Sequence, residues 1–251
     1  SDGPLICLQA GASQGKRQWA PSRFAHLVRL LVEELGARVV LTGSKSEENI
    51  TEAILQEYQS ERVVSAVGRT NLAQLGALLE LADVLVTGDT GPMHMAVAVG
   101  TPVVALFLAS ALCFETGPYS EGNFVLQPQV SCNPCNPNYP CSRPDCHDQI
   151  SPELVYMLTK LRLETPMGAE ASLRISREVA HPDQVVLYRT AFDQDGFLEF
   201  VPMNGTGARK GRSALFFDAA RAAYRRVWKE DLNGADTRPM PELGSFRGRT
   251  L

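Results

Sequence analysis

Apolar residues follow two alternating patterns from the N-terminus to residue 107. Uniformly apolar runs, typical of buried strands, occupy residues 5–9, 39–41, 63–66, 84–86 and 102–107. Between them, helical spacing predicts helices over residues 22–35, 47–58, 71–81 and 91–99. Strands that are apolar on both faces and separated by helices predict a parallel sheet covered on both sides. With right-handed crossovers, the sequence predicts a doubly wound α/β fold.

Signals for the ends of helices support this pattern. Gly36 follows the last apolar residue of the first helix, where a C-terminal cap belongs. Asn71 is a good N-cap for the third helix, and Ser151 is one for a closing helix over residues 150–163. The stretch 108–149, rich in Pro, Asn and Cys, is expected to be irregular.

Residues 166–251 differ in composition from the rest of the chain. They are expected to form a small accessory α+β region beside residues 1–165, which hold the predicted sheet. Its predicted elements are two strands around an Asp195-Gly196 turn and one helix, at residues 185–188, 197–200 and 213–229.

The composition excludes several classes of protein. The 24 Lys and Arg residues against 28 Asp and Glu give a formal net charge of −4, so nucleic acid is not an expected partner. No apolar run approaches the roughly 20 residues that span a bilayer, and the N-terminus lacks the features of a signal peptide. Four of the six cysteines are close together, which differs from a secreted disulfide scaffold. The sequence therefore predicts a cytoplasmic globular protein.

The loop after the fourth predicted strand, residues 87–96, has the features of an anion-binding site. The first N–H groups of the following helix lack intrahelical partners, and the helix dipole favours negative charge there. Gly91 lets a phosphate approach the main chain, the Thr90 hydroxyl adds a donor, and His94 lies one turn into the helix. Asp89 would repel a phosphate beside it, so we expect it to cap the helix or to accept a sugar hydroxyl. A capped helix with a satisfied histidine is the structural alternative.

Two further strand-end loops carry polar residues that suit a nucleotide. Residues 11–21 form a glycine-containing basic loop in which Arg17 can neutralise a diphosphate and Ser13 can donate to it. The alternative is a solvated turn whose Trp19 packs under the following helix. After the second strand, Glu47 stands where a ribose diol could be held, although a first-turn helix acid explains it equally well.

Together these three loops resemble the C-terminal domain of glycosyltransferase family 9, the lipopolysaccharide heptosyltransferases. The resemblance covers about residues 4–163 and depends on one motif and on the order of the loops. The motif consists of Asp89-Thr90-Gly91, His94, Ala96, Ala98, Gly100 and Pro102, with a basic residue two positions before Trp19. One departure from the family pattern is the extra Ala20 between Trp19 and Pro21.

The resemblance implies a two-domain GT-B fold and an inverting transfer of heptose from an ADP-sugar donor to a lipid-linked saccharide acceptor. No cofactor is implied for the transfer itself. Residues 1–165 would be the nucleotide-sugar-binding, C-terminal half. Carried over residue by residue, the resemblance implies that Ser13 and Arg17 contact phosphate and that Glu47 holds the ribose. Thr70 would lie near the adenine. The residues that would face the diphosphate and the sugar are Asp89, Thr90, Gly91 and His94.

The catalytic base of the family is a carboxylate in the N-terminal half, and no residue here matches it, so the catalytic residue is unassigned. An inverting displacement needs a base within reach of the acceptor hydroxyl. We therefore expect the chain to bind the donor but to need a missing N-terminal GT-B domain for sugar transfer. The reaction is expected to take place at the inner face of the inner membrane. The alternatives are another GT-B nucleotide-sugar enzyme, such as an epimerase or a glucosaminyltransferase, and a non-catalytic, metal-stapled nucleotide-binding module.

The segment 131–149 contains the four clustered cysteines, in the pattern Cys132-x2-Cys135-x5-Cys141-x4-Cys146. The spacings within each pair fit a tetrahedral structural zinc, although five residues between the pairs is short for a zinc ribbon. The alternatives are four reduced thiols or adventitious disulfides. In each case the expected role is to order a proline-rich loop.

The last predicted helix is basic and amphipathic. Arg221, Arg225 and Lys229 fall on one helical face at intervals of four residues. Such a helix could lie on an anionic membrane surface, as a peripheral contact that suits an acceptor anchored in the membrane. The alternative is that its apolar stripe packs on the α/β domain and its charges face water.

Overall fold

The computed structural model describes residues 2–132, 135–136, 138–141, 144–164, 185–194 and 196–203. Its strands are β1 (Leu5–Gln9), β2 (Arg38–Thr42), β3 (Val63–Ser65), β4 (Val84–Gly88), β5 (Val103–Leu106), β6 (Phe124–Pro128), β7 (Val185–Phe192) and β8 (Leu198–Pro202). Its helices are α1 (Pro21–Glu33), α2 (Glu48–Glu57), α3 (Leu72–Leu81), α4 (Gly91–Ala98), α5 (Cys113–Thr116), α6 (Asp145–Asp148) and α7 (Pro152–Glu164). Short 3₁₀ turns precede α1 and α2, at Gly15–Arg17 and Lys45–Glu47.

The described strands form one sheet in the order β3-β2-β1-β4-β5-β6-β7-β8. Strands β1 to β6 are parallel to one another, whereas β7 is antiparallel to β6 and β8 is antiparallel to β7. The strand order reverses at β1, where Cys7 pairs with Val40 of β2 on one side and with Leu85 of β4 on the other. The predicted α/β class and doubly wound topology are therefore confirmed.

Apolar side chains of the sheet alternate between two cores, one on each face. Leu8 and Val86 belong to the core formed with α1, α2 and α7, whereas Cys7 and Leu85 belong to the core formed with α3 and α4. Both faces of the central strands are thus covered by helices. This double burial is the physical reason for the uniformly apolar strands in the sequence.

Two helix ends have the hydrogen bonds that the sequence predicts. Gly36 has a φ of +65°, and its N–H donates to the carbonyl of Val32 at 3.1 Å, as in an αL C-terminal cap. Asn71 Oδ1 accepts the N–H of Gln74 at 2.9 Å, and Gln74 Oε1 accepts the N–H of Asn71 at 3.0 Å. This reciprocal pair is a capping box that fixes the start of α3.

Strand β6 lies inside the stretch 108–149, and the expectation that this stretch is irregular was wrong there. All five residues of β6 are buried, and the strand pairs in parallel with β5. Its short apolar run ends at a proline and lies among turn-forming residues, so the sequence pattern did not indicate a strand there. Tertiary pairing rather than local composition determines its structure.

Strands β7 and β8 confirm the two strands expected at 185–188 and 197–200. They extend the main sheet, since β7 pairs with β6, so the sheet continues across the boundary that the sequence suggested at residue 165. The helix predicted at 213–229 lies outside the described residues. No helix in the described part of the chain is long and apolar enough to cross a lipid bilayer.

Buried Asn123 fixes the join between the parallel and antiparallel strands. Its main-chain N–H donates to Thr190 Oγ1 of β7 at 2.9 Å, and its Oδ1 accepts the N–H of Val103 of β5 at 2.9 Å. Asn123 and Thr190 are 1% exposed. Asn123 is thereby bonded to both parts of the sheet, to parallel β5 and to antiparallel β7.

Candidate functional site

A cleft of about 600 Å³ lies at the carboxyl ends of β1, β2 and β4, where the strand order reverses. Open α/β sheets bind ligands at such a point because the loops on its two sides diverge and leave a crevice. The first turns of α3 and α4 complete the walls. This is the position predicted from the three strand-end loops.

The cleft brings together seven of the eight residues that the sequence predicts for nucleotide-sugar binding. They are Ser13, Glu47, Thr70, Asp89, Thr90, Gly91 and His94. The eighth, Arg17, contacts Asp89 instead of lining the cleft. The assignment of each residue to phosphate, ribose, adenine or sugar stays a prediction.

The N-terminus of α4 opens directly into the cleft. Thr90 is the N-cap residue, and its hydroxyl lies 2.9 Å from that of Thr87 instead of capping an N–H group of the helix. A Cβ added at Gly91 would meet no atom within 4 Å, so the main chain is accessible from the cleft. His94 is exposed on the same wall, which is incompatible with the alternative of a satisfied core histidine. The uncapped helix end can therefore take an anion.

Asp89 is paired with Arg17 rather than with the helix. Arg17 Nη1 lies 2.9 Å from Asp89 Oδ2, and the two side chains are 22% and 11% exposed. Of the two expected roles of Asp89, capping α4 was wrong, because its carboxylate faces a guanidinium and Thr90 occupies the cap position. Acceptance of a sugar hydroxyl stays a prediction. The pairing compensates a negative charge that would otherwise repel an anion at this helix end.

Glu47 has the capping role that its position suggested, and its carboxylate also faces the cleft. Its Oε2 accepts the N–H of Ser44 at 2.6 Å and the Ser44 hydroxyl at 2.8 Å, as expected for a helix-capping acid. Its Oε1 accepts Nε2 of Gln9 at 3.0 Å, and the amide of Gln9 is oriented by the Thr42 hydroxyl at 3.1 Å. The carboxylate nevertheless lines the cleft. With four lone-pair positions, it can accept further hydrogen bonds from a ligand diol.

Apolar side chains that the sequence did not single out form one wall of the cleft. Leu72, Leu75 and Met95 lie there, and Leu72 is 75% exposed. Exposed leucine beside hydroxyls and a carboxylate suits a flat apolar group that carries polar edges, such as a nucleobase. Gln9 and Ser44 also line the cleft and were missed. The one signal for Gln9 is a polar residue at the end of an otherwise apolar strand.

The cysteine-containing segment is held against the loop after β1. Lys16 Nζ donates to the main-chain carbonyls of Asn136, at 3.1 Å, and of Tyr139. His147 Nε2 lies 2.8 Å from the carbonyl oxygen of Lys16. The segment therefore supports the loop that carries Ser13.

Trp19 of the loop after β1 is 1% exposed and packs edge-on against a phenylalanine of α1. The alternative interpretation of this loop, in which Trp19 packs under the helix, expected this contact.

The four thiols lie near one another without forming a metal site. Burial raises the pKa of Cys135, and the neighbouring thiols of Cys132, Cys146 and Cys141 raise it further. Cys146 is buried, whereas Cys132 and Cys141 are exposed. Among the residues that the structure describes, no three His, Cys, Asp or Glu side chains are placed to hold a metal ion. The positions of the four cysteines therefore do not fit a bound zinc ion. The structural zinc stays a prediction that rests on their spacing in the sequence.

Comparisons with known proteins show which family this chain matches. Glycosyltransferase family 9 (heptosyltransferase) matches residues 1–144. The chain is 36% identical over 131 residues to lipopolysaccharide heptosyltransferase 2 of Salmonella typhimurium and 34% identical over 131 residues to that of Escherichia coli. Each match covers 51% of this chain and 37% of the relative. The chain thus spans about a third of the length of the curated relatives it matches.

A solved structure of a similar protein shares the fold. The structure of E. coli ADP-heptose lipopolysaccharide heptosyltransferase II superposes with a TM-score of 0.56 and 26% identity, over 65% of this chain and 47% of that chain. The family match covers more than half of the 251 residues and includes every loop that lines the cleft. On these grounds the chain belongs to glycosyltransferase family 9.

Proposed function

We propose that the chain binds ADP-heptose in the cleft at the carboxyl ends of β1, β2 and β4. In this proposal it is the donor-binding half of an inverting glycosyltransferase that moves heptose to a lipopolysaccharide-type acceptor. The observation that carries the proposal is the convergence of seven predicted residues on one cleft, around the uncapped N-terminus of α4. ADP-heptose is chosen because the similar E. coli structure is described as an ADP-heptose heptosyltransferase.

The chemistry of the cleft suits each part of this donor. The diphosphate would lie at the N-terminus of α4, where Gly91 leaves the main chain open and Thr90 adds a hydroxyl. The Glu47 carboxylate would accept the ribose hydroxyls, and the base would pack on the leucine wall near Thr70. Asp89 and His94 remain for the sugar.

Sugar transfer would require a second GT-B domain. The acceptor hydroxyl needs a general base within hydrogen-bond reach, and no residue of this chain matches the base of the family. We therefore propose that the 251-residue chain binds the donor without transferring the sugar. Incubation with ADP-heptose and a heptose acceptor should release no ADP unless the N-terminal domain is supplied. Turnover by the pure chain would show that the chain itself contains a catalytic base.

Nucleotide preference is the first test of the donor assignment. Calorimetric titration of the chain with ADP, GDP and UDP should show the tightest binding for ADP. Preference for UDP would contradict the heptosyl assignment and would favour another GT-B enzyme. Binding of none of the three would contradict the donor site altogether.

A histidine pair provides a matched test of the cleft. His94→Ala should weaken donor binding without unfolding the chain, because the side chain is exposed on the cleft wall. His26→Ala is the control, since that ring lies on α1, 3.6 Å from Glu153 of α7. Lower thermal stability of His94→Ala with unchanged donor affinity would contradict its role in binding.

A peripheral membrane contact through residues 205–229 is a separate proposal that rests on the sequence alone. The basic residues there would each contribute about 1 kcal/mol near an anionic surface, and salt would screen this attraction. Co-sedimentation with anionic liposomes at low salt should therefore be stronger for the full chain than for a chain lacking residues 205–251. Equal pelleting of both would contradict the membrane contact.

A further inference from the structure

The loop between β5 and α5 is held in one conformation by Gln127 of β6. The buried side chain of Gln127 donates from Nε2 to the carbonyl oxygens of Phe107 and Ala111, each at 3.2 Å. Its Oε1 accepts the main-chain N–H of Cys113 at 3.1 Å. Both ends of the loop are thereby restrained, because breaking any of these bonds would leave a buried polar group without a partner.

The middle of this loop contains a strained residue. Ala109 has a φ of +55°, and no other non-glycine residue in the described ranges has a positive φ. This left-handed conformation costs about 1–2 kcal/mol for alanine. The side chain of Ala109 is buried, and its carbonyl accepts the N–H of Cys135 at 3.3 Å. Such strain persists where the surroundings impose it, and it is concentrated at functional sites.

Ser110, the next residue, connects this loop to the donor cleft. Its Oγ accepts the Nε–H of Arg17 at 2.9 Å and donates to Oε1 of Gln14 at 3.4 Å. Arg17 in turn donates from Nη1 to Asp89 Oδ2 at 2.9 Å. The guanidinium is planar, so holding its Nε and Nη1 fixes the orientation of the whole group.

We propose that Ser110 is a positioning residue of the donor site, which acts by holding Arg17 against Asp89. The proposal rests on the function proposed above. Ser110 does not line the cleft, whereas Asp89 does. The bond from Arg17 Nε to Ser110 is 2.9 Å long against 3.4 Å for the contact with Gln14, which favours the guanidinium as the route of the effect. Without the hydroxyl, the guanidinium keeps its Nη1 bond to Asp89 but loses the restraint at Nε, so it compensates the carboxylate less well beside the helix end proposed to receive the diphosphate. Donor binding should weaken as a result.

A double-mutant cycle tests this connection on the full chain. Wild type, Ser110→Ala, Arg17→Lys and the double variant are titrated with ADP-heptose. Lysine at position 17 keeps the charge but has no Nε–H for the serine to accept. Ser110→Ala should weaken binding about tenfold in the wild-type background, as for a lost hydrogen bond to a charged group. It should weaken binding by less than about twofold when position 17 is lysine.

Two serine variants complete the design. Ser110→Thr keeps the hydroxyl and should restore wild-type affinity. Ser60→Ala is the matched control, since it removes an exposed hydroxyl that accepts a main-chain N–H just before β3, at the opposite end of the sheet. Equal losses from Ser110→Ala in both backgrounds, or no loss in either, would overturn the positioning role while the proposed function stands. Absence of binding by the wild type would overturn the proposed function and the positioning role together.

A measurement without ligand tests the hydrogen bond itself. The Nε–H resonance of Arg17 is assigned by its disappearance in Arg17→Lys. It should shift in Ser110→Ala and stay in place in Ser60→Ala, because only the first variant removes its acceptor. An unchanged resonance in Ser110→Ala would overturn the proposal.

Discussion

The Glu47 carboxylate reaches the cleft only because residue 11 is glycine, and Gly11→Ala tests what this contact does. A Cβ at position 11 would lie 1.4 Å from Oε1 of Glu47, 2.2 Å from its Cδ and 2.7 Å from its Cγ. Non-bonded atoms cannot approach so closely, so the side chain of Glu47 must rotate away. The substitution therefore removes the carboxylate from its place without changing residue 47.

The stability cost of Gly11→Ala follows from the hydrogen bonds that Glu47 would lose. Two of them cap the helix start at Ser44, and such a cap is worth about 1 kcal/mol. The third is donated by the buried amide of Gln9, at 3.0 Å, and adds about 1 kcal/mol or more. We expect the free energy of unfolding to fall by about 1–3 kcal/mol, which lowers Tm by about 2–4 °C per kcal/mol.

Donor affinity is the measurement that separates capping from binding. If Glu47 holds the ribose, Gly11→Ala should weaken ADP binding about tenfold in calorimetry, as for lost hydrogen bonds to a charged group. Gly15→Ala is the matched control in the same loop, because a Cβ there meets no atom within 4 Å. In a Glu47→Ala background, Gly11→Ala should cause little further loss, since the clashing carboxylate is gone. A lower Tm with unchanged ADP affinity would show that Glu47 serves only to cap the helix.

Two glycines and one buried thiol provide further tests. Gly91→Ala should leave Tm unchanged but weaken ADP binding several-fold, because its methyl group would stand in the open space before α4; unchanged affinity would argue against a phosphate there. Gly36→Ala should lower the free energy of unfolding by about 1 kcal/mol without changing ADP affinity, since its φ is +65°; the check is chemical denaturation. Burial raises the pKa of Cys7 to about 12, so this thiol should stay protonated and unlabelled by iodoacetamide at pH 8, while exposed Cys132 reacts. Mass spectrometry of the labelled peptides decides the last point, and labelling of Cys7 before Cys132 would contradict it.

The central α/β fold could be predicted from the sequence because its strands are buried on both faces and its helices carry local end signals. Gly36 and Asn71 mark their helix ends through main-chain geometry and side-chain capping, which depend on neighbouring residues alone. Strand β6 could not be predicted in this way, because its structure depends on pairing with β5 and β7. The continuation of the sheet into β7 was likewise invisible, since it joins residues such as Asn123 and Thr190 that are far apart in the chain.

For the candidate site, the sequence could likewise predict the position of the residues but not the contacts between their side chains. The position of Asp89, Thr90, Gly91 and His94 in one cleft follows from topology, because the carboxyl ends of parallel strands meet at one edge of the sheet. The partner of Asp89 does not follow, since its ion pair with Arg17 depends on side-chain geometry between two loops. Contacts such as these carry no periodic signal in the sequence.

The antiparallel pairing of β7 with β6 has a consequence for how this unit can be cut and produced. A chain ended at residue 165, where the composition changes, would leave the long edge of β6 unpaired, with five apolar or uncharged residues in a row. Exposed edges of this kind recruit other strands and lead to aggregation. The same cut would leave the main-chain N–H of Asn123 without its acceptor, the Thr190 hydroxyl, which lies 67 residues further along the chain. During synthesis, β7 at residues 185–192 must therefore leave the ribosome before the edge is covered, and β6 is the segment that a chaperone would have to shield until then.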